Sequence, residues 1–432
     1  MIKDITIALF ILVTLLSSCK EEKPSTEQLL KEIKEFERNI SEQEDPISFW
    51  KNLLKQKRYA SNRVAKSSIN TMIGVGFYRS NLDSAEVYGT KALVLIEDLE
   101  GFEREKIVVY NNLGNIANVK GKSFLSSFYY YRIISILEAN PSKAVLRLER
   151  KVQSYLNSAN ANINLNLEES AYNLTRVAAS YVDSLSKGDY GNYLRFRIYS
   201  QLFSSSYNLK KNTDSLSYYL EKQEQFLISP EAKRFHYLQK AYFFDLNNQF
   251  DSAKVYYQKC LIIDQNERKD NVTTPINEYV AYCDLLQNSI NRGNINEADS
   301  LIDKLNEMRQ DISLNLPDLT HVDFWEAMMN YHYKFKNFEE YHEATEKVLE
   351  LIQEIHKEAE LQAKEEMHAM YQLEENKKAI KELNQDVEVK ENQLQQTQFL
   401  LIITTLGILV ALAILALFYY RQKNQKLQQE YE

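Results

Sequence analysis

Histidine, cysteine and glycine are the residues here whose types and spacing could serve an enzyme or a metal site. The six histidines form no His-Glu-x-x-His pair, and none lies near a cysteine at zinc-ligand spacing. Gly74 and Gly76 lack the third glycine and the preceding strand of a phosphate-binding loop. We therefore predict that the protein is not an enzyme and has no catalytic residue, metal site or cofactor. The histidines are His236, His321, His332, His342, His356 and His368.

The cysteines leave two interpretations open. Three cysteines are too few for a disulfide scaffold in a chain of this length. Cys260 occupies a small-residue position of a predicted helix, and Cys283 lies one helix later. A structural thiol at each position and a disulfide between adjacent helices both fit this spacing.

A row of asparagines offers another chemistry, the recognition of a peptide backbone. Asn111, Asn115 and Asn118 recur at i, i+4 and i+7, so they share one face of a helix. An asparagine amide both donates and accepts hydrogen bonds, as a peptide backbone does. An ordinary solvated helix face explains the same row.

Composition indicates that the elements carrying these residues are helices. The chain has 10 Gly and 6 Pro among 432 residues, too few for the turns of a large sheet or α/β fold. The net charge is −8 and no basic stripe offsets it, which argues against a nucleic-acid partner. We predict an all-α protein.

A repeated phrase divides the middle of the chain. Asp83-Ser84-Ala85, Asp214-Ser215-Leu216 and Asp251-Ser252-Ala253 each open a stretch with helical spacing of apolar residues, and Asp and Ser favour helix N-termini. We predict about seven helical hairpins over residues 45–355. Equivalent positions are Ala85, Ser126, Ala171, Leu216, Ala253, Ala298 and Tyr341.

The segment from Tyr110 to Ile136 resembles a tetratricopeptide repeat (TPR). Gly114 and Ser126 stand where that family has the small residues that let two helices pack closely. The pattern recurs at Tyr237, Ala241, Phe244, Ala253, Tyr257 and Cys260. The resemblance implies a TPR-like superhelical solenoid whose first helices line the concave surface. It therefore implies that the asparagine row, extended by Asn160, contacts a protein or peptide ligand.

The N-terminus has the pattern of an export signal. A twelve-residue apolar run follows one lysine, which predicts a signal peptide over residues 1–18. Leu16-Ser17-Ser18-Cys19 resembles the lipobox of bacterial lipoproteins, which implies lipidation of Cys19. Residues 19–44 would then form a tether and a short helix.

Residues 351–398 contain no Gly or Pro and carry an apolar residue every seven positions. This heptad spacing predicts a coiled coil and a parallel homodimer, with a lone solvated helix or a packed hairpin as alternatives. The predicted dimer seam is Leu373, Ile380, Leu383, Val387 and Leu394.

Residues 399–420 form an uncharged run that predicts one transmembrane helix. Arg421, Lys423 and Lys426 follow at once, and positive flanks favour the cytoplasmic side. We therefore expect a single-pass protein of the bacterial inner membrane, with a periplasmic bulk and a cytoplasmic tail at 421–432.

The order of these segments resembles the sensory half of bacterial TPR histidine kinases and TPR helix-turn-helix regulators. That resemblance implies a receptor or adaptor that relays ligand binding to a cytoplasmic partner. The twelve residues after the membrane run are too few for an output domain, so we expect that domain to be lost or supplied by another protein. The alternative is a periplasmic scaffold or assembly lipoprotein without a signalling role.

Overall fold

The computed structural model describes residues 24–139, 146–210, 212–269, 275–310 and 318–431. Every regular element in these ranges is helical, which confirms the all-α prediction. A one-turn helix, Lys57–Ala60, and two short 3-10 helices, Ile40–Glu42 and Val182–Ser184, accompany the longer helices. The longer helices are α1 (Thr26–Arg38), α2 (Pro46–Lys55), α3 (Arg63–Phe77), α4 (Leu82–Ile96), α5 (Glu103–Val119), α6 (Ser123–Ala139), α7 (Leu148–Ile163), α8 (Glu168–Ala179), α9 (Asp189–Asn208), α10 (Thr213–Glu224), α11 (Pro230–Leu246), α12 (Phe250–Lys269), α13 (Pro275–Arg292), α14 (Ile295–Arg309), α15 (Asp318–Lys334) and α16 (Phe338–Tyr431).

From α5 onward the helices pair into hairpins that repeat one turn geometry. The Lys122 amide donates to the Ala117 carbonyl at 2.8 Å, and the same bond closes the turns after α7, α11, α13 and α15. One left-handed residue makes each turn, a conformation that Gly and Asn adopt most easily. These residues are Gly121, Asn166, Lys210, Asn248, Gly293 and Lys336. The left-handed residue precedes the next equivalent repeat position by the same number of residues in four hairpins. These four positions, all fully buried, are Ser126, Ala171, Ala253 and Ala298.

The repeated Asp residues lie inside the first helical turn rather than at the cap. Asn81 accepts the Ser84 amide at 2.8 Å, and Asn212 accepts the Asp214 amide at 3.0 Å. The Asp side chains at 83 and 214 therefore favour the helix N-terminus by their charge, while the preceding asparagines supply the capping oxygens.

Gly114 permits the close packing of α5 on α6. A Cβ at this position would lie 2.8 Å from the Tyr130 ring, and the Ser126 hydroxyl donates to the Gly114 carbonyl at 3.1 Å. This contact is the one that the TPR resemblance implies for the two small residues.

The hairpins form two layers. From α2 to α14 each helix packs on the next along the chain, and α3 also contacts α5, α7 contacts α9, α9 contacts α11, and α13 contacts α15. No two even-numbered helices among the described residues contact each other as closely. The odd-numbered helices therefore form the inner, more closely spaced layer of a solenoid.

The chain divides into two compact units, Met1–Met370 and Tyr371–Glu432. The second unit is the continuation of α16, and it contains Asn392–Gln425, a segment long and apolar enough to cross a membrane by length and composition. Leu394 is 59% exposed. Residues 1–18, Cys19 and the side chains of the other four seam residues, Leu373, Ile380, Leu383 and Val387, lie outside the described part, so those predictions stay predictions.

Candidate functional site

The inner layer holds a groove of about 570 Å³ in the first unit. Its lining residues come from α1, α3, α5 and α7, together with Leu146 and Arg147 immediately before α7. Three of these helices are odd-numbered members of the hairpin stack, and α1 packs on α3. The groove therefore lies on the face where a TPR-like solenoid presents its inner helices.

The floor of the groove is neutral, and its hydroxyl groups are satisfied within the protein. Ile107 and Val109 of α5 are buried there. The Ser67 hydroxyl donates to the Ala92 carbonyl at 2.7 Å, the Thr71 hydroxyl to the Ser67 carbonyl at 3.0 Å, and the Ser154 hydroxyl to the main chain of α7. Such a floor can receive apolar or small side chains without leaving a buried polar group unpaired.

The rim of the groove is cationic. Four basic side chains line it against two carboxylates, Glu37 and Glu105. Three of the four are arginines, Arg104, Arg147 and Arg150, and all three are exposed. No carboxylate of the described residues forms an ion pair with any of the four, although Arg150 donates to Gln153 at 3.1 Å. Exposed cations without partners can bind carboxylate or phosphate groups, and arginine does so in bidentate geometry. The four are Lys34, Arg104, Arg147 and Arg150.

The structure brings one residue of the predicted asparagine row into the groove. Asn111 is half-buried in its wall. Asn115 instead accepts the Tyr130 hydroxyl at 2.6 Å, and Asn118 accepts the Asn164 amide at 3.3 Å. Asn160 is half-buried on α7. Two of the four amides thus have an oxygen engaged in bonds between helices, and a ligand-binding role for the row stays a prediction.

Sequence reasoning missed the rim cations, although a signal for one of them was present. Arg104 precedes Asn111 by seven residues and so extends the same helix face backwards by two turns. Lys34 of α1 lies far along the chain from Arg147 and Arg150 at the start of α7, and only the tertiary structure brings them together with Arg104.

Buried carboxylates distinguish the later hairpins. Asp284 of α13 has an oxygen, Oδ2, that is buried without a hydrogen-bond partner among the described residues. Burial and the charges of Asp323 and Asp245 raise its pKa to about 8. Asp245 accepts the Tyr257 hydroxyl at 2.6 Å and the Asn288 amide at 3.0 Å.

The cysteines and the buried histidine have structural surroundings. Cys260 and Cys283 are buried free thiols, and burial raises the pKa of Cys260 to about 12. His236 is fully buried with Nδ1 3.2 Å from the Gln223 amide oxygen, and burial lowers its pKa to about 4. Within the described ranges, no group of three or more His, Cys, Asp or Glu side chains could hold a metal ion.

Comparison with known proteins shows the class of fold. The sequence matches no protein-family model and none of the curated proteins. Its structure is similar to the solenoids of TPR-type proteins among solved structures.

Three of these structures define the likeness. The apo form of the quorum sensor NprR from B. thuringiensis has a TM-score of 0.52 at 11% identity, over 80% of this chain and 99% of that one. NprR in complex with its cognate peptide NprX has a TM-score of 0.50 at 12% identity, over 75% and 90%. Aspartyl phosphate phosphatase F from Bacillus subtilis has a TM-score of 0.50 at 16% identity, over 81% and 90%. At these identities the likeness establishes the fold.

Proposed function

We propose that the protein is a membrane-anchored receptor or adaptor that binds an acidic peptide, or an acidic segment of a protein, in the groove. The observation that carries this proposal is the set of basic side chains at the rim, above a neutral floor on the inner layer. A ligand carboxylate could pair with Arg147 or Arg150 without first breaking an internal ion pair, so it would retain most of the interaction energy.

The comparison with NprR supports a peptide ligand. NprR, which shares the solenoid fold, is described in complex with its cognate peptide NprX. For the present chain, Asn111 lies in the wall of the groove, where its amide would bond to an extended backbone while the rim pairs with side-chain carboxylates. We assign the protein a binding role rather than a catalytic one.

The membrane anchor in this proposal is Asn392–Gln425. Arg421 and Lys423 follow its apolar part, and we propose that they lie on the cytoplasmic side, with the solenoid in the periplasm and Cys19 lipidated. Binding of a ligand outside the cell membrane would then be relayed through α16 to a cytoplasmic partner.

The test uses three fluorescein-labelled decapeptides that alternate serine with glutamate, glutamine or lysine. We expect the full chain in detergent to bind the glutamate peptide most tightly, with an affinity that falls as salt rises. Arg147→Glu/Arg150→Glu should weaken that binding at least about tenfold, whereas Arg79→Glu, on an exposed turn away from the groove, should not.

Equal binding of all three peptides, or equal losses in the groove variant and its control, would contradict an acidic ligand. Failure of every peptide to bind would favour the alternative function, an anchored periplasmic scaffold.

A further inference from the structure

The long helix α16 touches the solenoid along two separate stripes. The first includes Ala344 and Val348, both buried, in the hairpin with α15. Residues 356–361 are then exposed throughout. A second stripe of less exposed residues follows at helical spacing, comprising Gln362, Ala363, Glu366 and Met370. Since a helix rises about 1.5 Å per residue, about 21 Å separate Val348 from Gln362 along its axis.

The second stripe lies on the turn between α5 and α6. A Glu366 carboxylate oxygen accepts the Leu125 amide at 2.7 Å, and the Gln362 side-chain amide donates to the Gly121 carbonyl at 2.6 Å. Each bond joins residues 241 positions apart in the chain. Two directed bonds in one stripe fix both the position and the rotation of α16 at this point.

The start of α6 explains why this contact forms. The first amides of a helix have no intrahelical acceptor, and the residue before α6 is Lys122, whose side chain cannot accept a hydrogen bond. Glu366 is only 2% exposed and supplies the missing acceptor at the positive end of the helix. Burial raises the pKa of its carboxyl, and the Leu125 amide and the charge of Lys122 oppose that rise.

Helix α5 joins the turn that receives α16 to the groove. Helix α5 carries Arg104 and Asn111 in the groove wall and ends at Val119, next to Gly121. On its other side the turn is held by Lys120 and Lys122, which pair with carboxylates of α4. A single helix therefore connects the wall of the groove to the contact with α16.

We propose that Gln362–Glu366 is a latch that seats α16 on the α5–α6 turn and thereby holds α5 as a fixed wall of the groove. Groove occupancy and latch closure favour each other. When the latch already orders α5, the ligand loses less binding free energy to the ordering of this wall. The coupling step rests on the proposed function, whereas the latch itself does not. Because α16 continues without a break to the apolar segment, the latch is the point where ligand binding reaches the membrane helix.

Hydrogen exchange of the Leu125 amide tests the latch in the full chain in detergent, with no ligand. This amide depends on Glu366 for its bond, so Glu366→Ala should speed its exchange roughly tenfold. The matched control is Glu365→Ala, an exposed glutamate one residue away, which should leave exchange unchanged. Glu366→Gln keeps an acceptor without the charge and should fall between them. If Glu366→Ala fails to fold, exchange of the Leu125 amide in Gln362→Ala tests the latch instead.

The glutamate–serine decapeptide tests the coupling. We expect Glu366→Ala to weaken its binding several-fold and Glu365→Ala to leave it unchanged. Saturating peptide should in turn slow Leu125 exchange in the wild type. Unchanged exchange in both Glu366→Ala and Gln362→Ala would overturn the latch. Faster exchange with unchanged affinity would overturn its hold on the groove. If the peptide fails to bind the wild type, the proposed function fails, while exchange still decides the latch.

Discussion

The two ends of the helical array carry their charges in opposite ways. Around α1 to α7, arginines such as Arg104 and Arg150 stand exposed at the rim of a groove, without ion-pair partners among the described residues. Between α11 and α15, carboxylates such as Asp245 and Asp284 are withdrawn into contacts between helices. One hairpin architecture therefore provides exposed charges at one end and buried ionisable groups at the other.

This difference separates binding from stability. An exposed charge contributes little to folding and stays available to a ligand. A buried carboxylate loses hydration, so its surroundings either pair it or raise its pKa. Substitutions at the rim should therefore change affinity, and substitutions in the later hairpins should change the free energy of unfolding.

The largest effect is expected at the buried ion pair of the later hairpins. Arg234 Nε donates to Asp264 Oδ1 at 2.5 Å, and Asp264 is 1% exposed. Arg234→Ala would leave that carboxylate buried without its partner, so we expect a loss of about 3 kcal/mol in the free energy of unfolding. Urea unfolding followed by the fluorescence of Trp325, in a Trp50→Phe background, measures it at the right end of the array. A loss no larger than that of Arg79→Ala would contradict a buried carboxylate that depends on Arg234.

Asp284→Asn should stabilise the protein at alkaline pH. The folded-state pKa of about 8 lies above the unfolded value, so the contribution of Asp284 to stability is complete below about pH 4 and is lost as pH rises through 8. The variant keeps the shape without the charge, and we expect a gain on the order of 2 kcal/mol at pH 9 and little change at pH 4. Unfolding curves at both pH values measure this difference. A gain equal at both would show that the charge is not responsible.

Gly114→Ala should destabilise the groove end by packing alone. The added Cβ would lie 2.8 Å from the Tyr130 ring, and overpacking of this kind costs about 1–2 kcal/mol. The equivalent position of the α11–α12 hairpin already holds Ala241, fully buried. Unfolding followed by Trp50 fluorescence measures the loss, and Gly114→Ala/Tyr130→Leu should recover part of it. No recovery would place the strain elsewhere.

The fold could be predicted from local sequence patterns. Most of the candidate site could not, because its residues lie far apart in the chain. Buried small residues such as Ser126 and Ala253 recur with the turns, so local spacing was enough to indicate helical hairpins. Asn111 and Arg104 share a helix face and could be found in the same way. Arg147 joins them only because the start of α7 lines the same groove as α5. No periodicity could indicate that Glu366 completes a helix 241 residues earlier, because that contact depends on the full tertiary arrangement.

The smallest effect on stability, and the sharpest test of the comparison, is expected at the rim itself. Arg104→Gln and Arg150→Gln remove exposed charges without ion-pair partners among the described residues, so the free energy of unfolding should change by less than about 0.5 kcal/mol. Binding of the glutamate–serine decapeptide should nevertheless weaken, and its dependence on salt should become shallower, because fewer charges are screened. Arg79→Gln should change neither quantity. If the rim variants instead unfold as readily as Arg234→Ala, these arginines hold the solenoid together, and the two ends of the array do not differ in the way their charges are used.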